Sequence, residues 1–462
     1  MARFDTIIRN GTAIIPQQGP LNATIAISAG KIAGLLDPSE SVDAEETIDA
    51  GGMVLLPGLI DPHMHIGFVG LPLSDVASES RSASIGGVTT ILNYVLKPEP
   101  YDAPFAEFVD HIQRLAYVDM GIHFGIFSSA HIRELGHYIN DLGVSSFKFF
   151  MSYKGDEASK RGLTPVDDGL LFEFLRELAT YPGAMANIHA ENIEVIWRFE
   201  ERVREQGLDG LLAHNLSRPG FTEADDVTTA CYFGQITGAP LYFVHISSRE
   251  GAEAVGRYRA TGKVFVETTP HYLSLTIDSP CGLLAKINPP VRTQDDIDAL
   301  WVAIRDGIVD TIGNDHAART RQEKSGDVWH AGASFPGVAT MLSIMLNEGY
   351  HKRGVSLQRI AELTSYNTAR IFNLFPRKGT IQVGSDADIA IVDVNREMTV
   401  NPEYLQSRAD FSPWEGWNLK GWAMRTLVRG RTVMQDGRIT GEAGYGTYLR
   451  RPLPAELVGG GR

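Results

Sequence analysis

Short apolar runs alternate with longer amphipathic stretches through the middle of the chain. Each run has the length and composition of a buried strand, and the stretches between several of them carry apolar residues at helical spacing. Strands that alternate with helices predict a parallel sheet, and eight such units predict a closed (β/α)8 TIM-like barrel. The eight runs span residues 58–65, 88–95, 121–127, 145–150, 184–189, 241–245, 263–267 and 310–315.

Helices are predicted between these runs at residues 169–181, 191–205 and 294–307. The main alternative to a barrel is a doubly wound open sheet. Sheets of that class bind dinucleotides through a Gly-x-Gly-x-x-Gly motif after the first strand. No such motif follows the first run, so we favour the barrel.

The two ends of the chain have a different pattern, in which β-rich runs are separated by turn signals such as Asn10-Gly11. Because chain termini often lie close together, we expect one small β-sandwich domain formed by both chain ends. We place this domain at residues 1–56 plus 377–450, the catalytic barrel at 57–376 and a C-terminal tail at 451–462. The β-rich runs are residues 6–9, 23–27, 31–34, 46–49, 386–392 and 425–430.

Charge and composition restrict the partners and the compartment. The 462-residue chain has a formal charge of -14, which argues against binding to nucleic acid or to an anionic membrane. No run approaches the roughly 18 apolar residues of a membrane span. With only 2 cysteines, the chain has no disulfide framework and no thiolate metal cluster. The N-terminus lacks a signal pattern, and we therefore expect a reducing, cytoplasmic location.

Side chains that can bind a metal follow several of the predicted strands. His63 and His65 end the first run and share one face of it, because alternate side chains of a strand point the same way. In a barrel the active site lies where the strands end. Each histidine alone fits a structural role, whereas the whole set predicts a metal centre. The set is His63, His65, Lys148, His189, His245 and Asp315.

Lys148 is unusual because phenylalanines flank it within the fourth run. Such a lysine can pack its stem against the outer helices and keep its amine in water, or it can serve the metal centre. Four neutral imidazoles and one carboxylate carry too little negative charge to hold two dications close together. A lysine amine that adds carbon dioxide becomes an anionic carbamate with two oxygens, and burial favours the neutral amine that this addition requires.

These residues and their surroundings resemble the amidohydrolase superfamily, and within it the cyclic-amidohydrolase branch of hydantoinases, dihydropyrimidinases and allantoinases. The resemblance covers nearly the whole chain, from about Phe4 to Arg450. It implies a metal-dependent hydrolase that opens the cyclic amide ring of a hydantoin or a dihydropyrimidine. The motifs that carry it are Gly58-Leu-Ile-Asp-Pro-His63-Met-His65, Gly86-Gly-Val-Thr-Thr90, Lys148-Phe-Phe-Met-Ser-Tyr153-Lys-Gly155, Lys286-Ile-Asn-Pro-Pro-Val-Arg292, Gly384-Ser-Asp-Ala-Asp388 and Ser412-Pro-Trp-Glu-Gly416.

The resemblance also implies two divalent ions with a hydroxide between them. The usual metal of the family is zinc, and manganese or cobalt can substitute. Asp315 would accept the hydroxide proton and pass it to the leaving nitrogen, as a general base and then a general acid. The metal ligands would be His63, His65 and Asp315 for the more buried ion, His189 and His245 for the other, and N6-carboxylysine at Lys148 as the bridge.

Several loops are expected to contact the substrate on the same grounds. Tyr153 would hydrogen-bond the developing oxyanion, with a loop tyrosine at an interface as the alternative. Asn288 would contact the cyclic imide mainly through its main chain, and the loop around Gly332 would add a second backbone contact. The predicted substrate contacts are Tyr153, Asn288, Ala333, Met64 and Phe68.

Three further polar residues lie near these motifs. His271 and His316 would either orient the metal ligands from behind or simply pack in the core. Arg292 is interpreted as one half of a structural salt bridge.

The choice among cyclic amides depends on the loop at residues 66–73. Dihydroorotases commonly carry an arginine just after the paired histidines, and this apolar loop has none. It indicates a hydrophobic pocket for a 5-substituted hydantoin or a dihydropyrimidine. Allantoinase activity is the second candidate, because allantoin is more polar. The stretch at residues 288–292 also occurs in dihydroorotase-like and allantoinase-like relatives, which keeps both open. Non-catalytic scaffold relatives have lost ligands that are all present here. Relatives are commonly homo-oligomers, either tetramers or dimers.

Overall fold

The strands of the protein fall into one barrel and two further sheets. The computed structural model describes residues 4–68, 71–261 and 263–454. The strands are β1 (Phe4–Arg9), β2 (Thr12–Ile15), β3 (Gly19–Asn22), β4 (Thr24–Ser28), β5 (Lys31–Leu36), β6 (Ala44–Asp49), β7 (Val54–Pro57), β8 (Leu59–Met64), β9 (Val88–Val95), β10 (Asp119–Gly125), β11 (Ser146–Phe150), β12 (Met185–His189), β13 (Leu241–Phe243), β14 (Val264–Thr268), β15 (Thr311–Ile312), β16 (Ile389–Thr399), β17 (Asn418–Val428), β18 (Arg431–Gln435) and β19 (Arg438–Ile439).

Helices connect the barrel strands and cover their outer faces. The predicted helices at residues 169–181, 191–205 and 294–307 correspond to α6, α7 and α11 below. In the described part of the chain, no helix is long and apolar enough to span a bilayer. The α-helices are α1 (Val76–Ile85), α2 (Asp102–Leu115), α3 (Ser129–Arg133), α4 (Leu135–His137), α5 (Asp156–Ser159), α6 (Asp168–Leu178), α7 (Ile193–Glu205), α8 (Gly210–Ser217), α9 (Gly220–Thr237), α10 (Arg249–Gly256), α11 (Gln294–Arg305), α12 (Met341–Ile344), α13 (Leu357–Ala361) and α14 (Asn367–Ile371).

The barrel consists of β8 to β15, which lie side by side in chain order and run parallel to one another. All eight correspond to predicted runs. The seam between the last strand and the first is closed through His316, whose carbonyl accepts from the His65 N–H at 2.9 Å and whose N–H donates to the His63 carbonyl at 3.3 Å. The predicted (β/α)8 barrel is therefore confirmed, and the open sheet is wrong.

The remaining strands form a β-domain from both ends of the chain, as predicted. One sheet has seven strands in the order β19-β18-β17-β16-β7-β2-β3, and the other has four in the order β5-β4-β1-β6. Ile8 and Ile25 of the smaller sheet share an apolar core with Ile389 and Leu427 of the larger one. The exact domain limits stay a prediction, because β7 runs almost directly into the first barrel strand.

Residue 451, the predicted start of the C-terminal tail, is packed against the barrel. Arg451 is fully buried, and its guanidinium donates to the Ser146 hydroxyl at 2.7 Å. Its main-chain N–H donates to the Gly143 carbonyl at 2.8 Å. Arg451 therefore belongs to the barrel packing, and most of the predicted tail, residues 455–462, lies outside the described residues.

A buried ionic cluster joins the barrel to the β-domain. Lys378 donates at 2.6 Å to Asp119, at the start of β10, and at 2.6 Å to Asp388, just before β16. Arg429 of the β-domain also contacts Asp119. Burial would raise the pKa of Asp119, but the charges of Lys378 and Arg429 lower it to about 2. The cluster bridges the two domains, and removal of one sign of charge would leave the other buried without compensation.

Removal of Lys378 is expected to destabilise the protein strongly. The change Lys378→Met leaves buried carboxylates without their shared cation, which should cost about 3–5 kcal/mol. The matched control is Lys31→Met, because Lys31 also binds a carboxylate of this region, Asp386 at 2.8 Å, but its side chain is 51% exposed. The control should cost at most about 1 kcal/mol. Urea unfolding midpoints measure both, and equal midpoints would contradict the prediction.

Candidate metal centre

Three of the predicted ligands converge at the closed seam of the barrel. The Nε2 atoms of His63 and His65 lie 3.2 Å apart. The Asp315 Oδ1 atom lies 3.2 Å from the first and 2.9 Å from the second. All three residues are buried. Two imidazole nitrogens and one carboxylate oxygen around one point are a ligand set that divalent metals prefer, so this is a candidate divalent-metal site.

Strand geometry and two unusual backbone conformations place these groups. His63 and His65 share a face because Met64 takes the opposite one. Asp315 and His245 follow their strands in the left-handed region, with φ of 49° and 41°. Such conformations are costly for residues other than glycine and cluster at functional sites. Here they let the chain leave β13 and β15 with the side chains turned toward the barrel mouth.

A second pair of predicted ligands lies beside the first group. His189 at the end of β12 and His245 just after β13 bring Nδ1 and Nε2 within 2.9 Å of each other. The ring of His245 stacks on that of His63 with centroids 5.3 Å apart. Four imidazoles from three strands, β8, β12 and β13, therefore meet at one end of the barrel.

Lys148 lies inside the barrel beside these ligands and does not face the outer helices. Its side chain is fully buried, and its Nζ atom has no hydrogen-bond partner among the described residues. The amine lies 4.6 Å from the ring centroid of Tyr94 and 4.8 Å from that of Phe150. Burial lowers the pKa of Lys148 to about 7, so the reactive neutral amine is well populated at neutral pH.

Two glutamates fix the rings of the histidines from behind, and neither was predicted from the sequence. Glu267 accepts from His63 Nδ1 at 2.7 Å, and Glu191 contacts His189 Nε2 at 3.0 Å. Arg218 holds Glu191 at 2.8 Å. These contacts leave Nε2 of His63 and Nδ1 of His189 toward the cluster, which is the usual arrangement behind a metal ligand. The signal for Glu267 was its place at the end of the seventh run.

Burial sets the protonation of the cluster. It lowers the pKa of His65 to about 4 and lowers the pKa values of His189 and His245, with a further contribution from the charge on Lys148. Burial would raise the pKa of Asp315, but His63 and His65 hold it well below its usual range. For His63, burial alone would lower the pKa, but the neighbouring carboxylates of Glu267 and Asp315 raise it. The neutral imidazoles of His65, His189 and His245 and the ionised carboxylate of Asp315 are already in the forms that bind metal ions.

A cavity of about 120 Å³ opens directly onto the cluster. Four of the five predicted substrate contacts, Phe68, Tyr153, Asn288 and Ala333, line it. The Tyr153 ring stacks on that of Phe150 with centroids 4.3 Å apart. The Asn288 Oδ1 atom is buried without a hydrogen-bond partner among the described residues. Asn288 thus lines the cavity, but its Oδ1 atom is packed within the protein.

Met64 does not line this cavity, contrary to expectation. It is fully buried in the apolar core of the barrel, because it alternates with the two histidines and faces away from them. Gly332 lines an adjoining cavity rather than this one. Strand alternation could have excluded Met64 from the sequence alone.

The neighbouring polar residues have structural roles. His316 contacts Glu79 at 2.9 Å through Nε2 and accepts two backbone N–H groups through Nδ1, so it braces the barrel seam. His271 packs against Phe335 and forms no hydrogen bond through Nε2 with the described residues. Arg292 donates to the Ser247 hydroxyl at 3.1 Å and to a main-chain carbonyl. In the described part of the chain it forms no salt bridge, contrary to expectation.

The cavity wall also carries positive charge, although the apolar loop at residues 66–73 predicted a hydrophobic pocket. Arg161, Arg218 and Arg319 all line it. The guanidinium carbon of Arg161 lies 4.9 Å from the ring centroid of Tyr153. The loop does contribute Phe68, while its residues 69–70 lie outside the described residues. One wall of the cavity is thus apolar and another is basic.

Comparisons with known proteins agree with this geometry. A profile of the amidohydrolase family matches residues 54–433. The chain is 32% identical to L-hydantoinase of Paenarthrobacter aurescens, over 97% of this chain and 98% of the relative. It is 33% identical to D-hydantoinase of Ralstonia pickettii, over 97% and 99%. The crystal structure of dihydropyrimidinase from Brevibacillus agri superposes with a TM-score of 0.90 at 31% identity, covering 97% of this chain and 99% of that one.

The change Glu267→Gln is expected to weaken metal binding. The amide keeps the size of Glu267 but removes the charge that orients His63, which should lower metal affinity by roughly 10- to 100-fold. The matched control is Glu79→Gln, because Glu79 is another buried carboxylate paired with a histidine, His316, that is not a candidate ligand. Competition titration with a chromophoric chelator measures the affinities. Equal losses in both variants, or none in Glu267→Gln, would contradict the assignment.

Proposed function

Because the chain belongs to the amidohydrolase family, and within it to the cyclic-amidohydrolase branch, we propose that it opens hydantoin or dihydropyrimidine rings by hydrolysing a cyclic amide bond. The observation that carries this proposal is the convergence of the six candidate ligands at the mouth of the barrel. Support comes from relatives named hydantoinase and dihydropyrimidinase that match nearly the whole chain.

The residues present fit two divalent ions. His63, His65 and Asp315 would hold one, His189 and His245 the other, and Lys148 would bridge them as N6-carboxylysine. The buried Lys148 amine, which has no hydrogen-bond partner among the described residues, supports this, because a carbamate would give the two cations the anion that the other ligands lack. When bound, such ions lower the pKa of water and polarise the amide carbonyl.

The side chains of the chain itself supply the proton transfer and the orientation. Asp315, ionised at neutral pH, accepts a proton from the attacking water as the C–O bond forms, and returns it to the ring nitrogen as the C–N bond breaks. Tyr153 donates its hydroxyl hydrogen bond to the oxygen that gains negative charge. Asn288, in the wall of the same cavity, contacts the ring mainly through its main chain. The product is an open-chain ureido acid.

The proposed class of substrate ring depends on the residues that line the cavity beside the paired histidines. Phe68 and the Phe150–Tyr153 stack suit a flat ring with an apolar edge. We rank allantoin second and dihydroorotate third, because no arginine follows the paired histidines in residues 66–73. A non-catalytic scaffold is last, because all six ligand positions are present.

The metal, the cellular location and the oligomeric state are part of the same proposal. We infer zinc as the metal, with manganese or cobalt as substitutes, and a cytoplasmic location, which the two free cysteines support. We infer a homo-oligomer, a tetramer or a dimer, because large apolar side chains of α8 and α9 are exposed. These are Leu212, Leu216, Phe221, Tyr232 and Ile236. Elemental analysis identifies the bound metal, and light scattering measures the molecular mass in solution. A single-chain mass would contradict the oligomer.

A panel of cyclic amides tests the function. The zinc-loaded protein is offered hydantoin, phenylhydantoin, dihydrouracil, allantoin and dihydroorotate, and ring opening is followed by the loss of ultraviolet absorbance. We expect turnover of the hydantoins or of dihydrouracil to be fastest, because their rings fit the wall at Phe68. Fastest turnover of dihydroorotate would contradict the ring class, and turnover of none would contradict the function.

A further inference from the structure

A second cavity of about 380 Å³ adjoins the catalytic one. The two share Arg161, Arg218, Arg319 and Asn288 in their common wall. Among the described residues, none of the six candidate metal ligands lines the second cavity. We call it the basic annex, because six of its lining side chains are cationic. These are Lys160, Arg161, Arg204, Arg218, Lys286 and Arg319.

The acidic residues of the basic annex do not balance this charge. Glu157 is shared by Arg161 at 2.9 Å and Lys160 at 3.6 Å, and Glu200 pairs with Arg204. Lys286 donates to the main-chain carbonyl of Ala331 at 2.6 Å and has no carboxylate partner among the described residues. Burial, and then the charge of Arg218, lower the pKa of Lys286 to about 8. The lining of this cavity therefore carries excess positive charge that an anion would compensate.

Donors for such an anion are free. Arg161 and Arg218 bind their glutamates through NH1, and Arg319 uses Nε on Ser334 and NH1 on Glu323. Within the described ranges, NH2 of each of these three guanidinium groups has no protein acceptor. Guanidinium groups suit carboxylates because their planar donors match both oxygens.

We propose that the substrate carries a carboxylate on a side chain that reaches from the ring into the basic annex. This deepens the proposed function and rests on it. The carboxylate is not the one formed by ring opening, because that group arises at the metal ligands, and these do not line the basic annex. A carboxylate attached directly to the ring would stay in the catalytic cavity, where it meets the shared arginines but not Lys286, which lines the basic annex alone. The ring then lies against Phe68 and the side chain points to Arg161 and Arg319.

Matched substrates test this proposal on the zinc-loaded protein. The probes are 5-(2-carboxyethyl)hydantoin and its side-chain amide, which has nearly the same shape without the charge. We expect kcat/KM to favour the acid by about tenfold or more, as a charge-assisted hydrogen bond would give. In Arg319→Gln and in Lys286→Gln this ratio should fall toward one. The control Arg198→Gln, whose side chain is 77% exposed on α7, should keep the ratio of the unaltered protein.

The outcomes separate this proposal from the function on which it rests. Equal kcat/KM for acid and amide, or a ratio that both annex variants leave unchanged, overturns the basic annex as a carboxylate site while ring hydrolysis stands. Faster turnover of dihydroorotate than of the carboxyethyl compound overturns it as well, because that carboxylate lies on the ring. Turnover of neither hydantoin overturns the proposed function and this inference together.

Discussion

The hydrogen bond between His63 Nδ1 and Glu267 Oε1, 2.7 Å long, joins the first and seventh strands of the barrel in its buried interior. The same carboxylate accepts the main-chain N–H of His245 at 3.0 Å and the Tyr242 hydroxyl at 2.8 Å. Gly313 lies against it so closely that a Cβ there would come within 2.6 Å of the Glu267 side chain. One buried glutamate thus sets the ring of one candidate ligand and the backbone of another, and the residue just after the eighth strand, Gly313, has no side chain that would collide with it.

Much of this could be predicted from the sequence, because the barrel depends on periodicity. Apolar runs of strand length identify all eight strands, and the residues at their ends identify the candidate ligands. Glu267 ends the seventh run, but a glutamate at or beside a strand end does not by itself distinguish a support for histidine from a surface charge, so neither Glu267 nor Glu191 could be assigned. Met64 was misplaced although its alternation with His63 and His65 already excluded it.

The basic annex was beyond prediction for a different reason. Arg161, Arg218 and Arg319 lie on three loops far apart in the sequence, and each is unremarkable where it stands. Only the closed barrel brings them to one wall. The formal charge of -14 is a sum over the whole sequence. It gives no information about a local cluster of cations. Net charge therefore restricts macromolecular partners, whereas the fold determines which small anion the interior can receive.

The central claim is that Lys148 becomes a carbamate and completes a centre for two ions. The most direct measurement reloads metal-free protein with zinc in the presence of ¹³C-bicarbonate and combines carbon NMR with metal analysis. The account predicts a lysine carbamate signal and about two metal ions per chain, and the loss of the signal and of tight metal binding in Lys148→Ala. Two tightly bound ions without any carbamate signal, or the same metal content in Lys148→Ala, would contradict it.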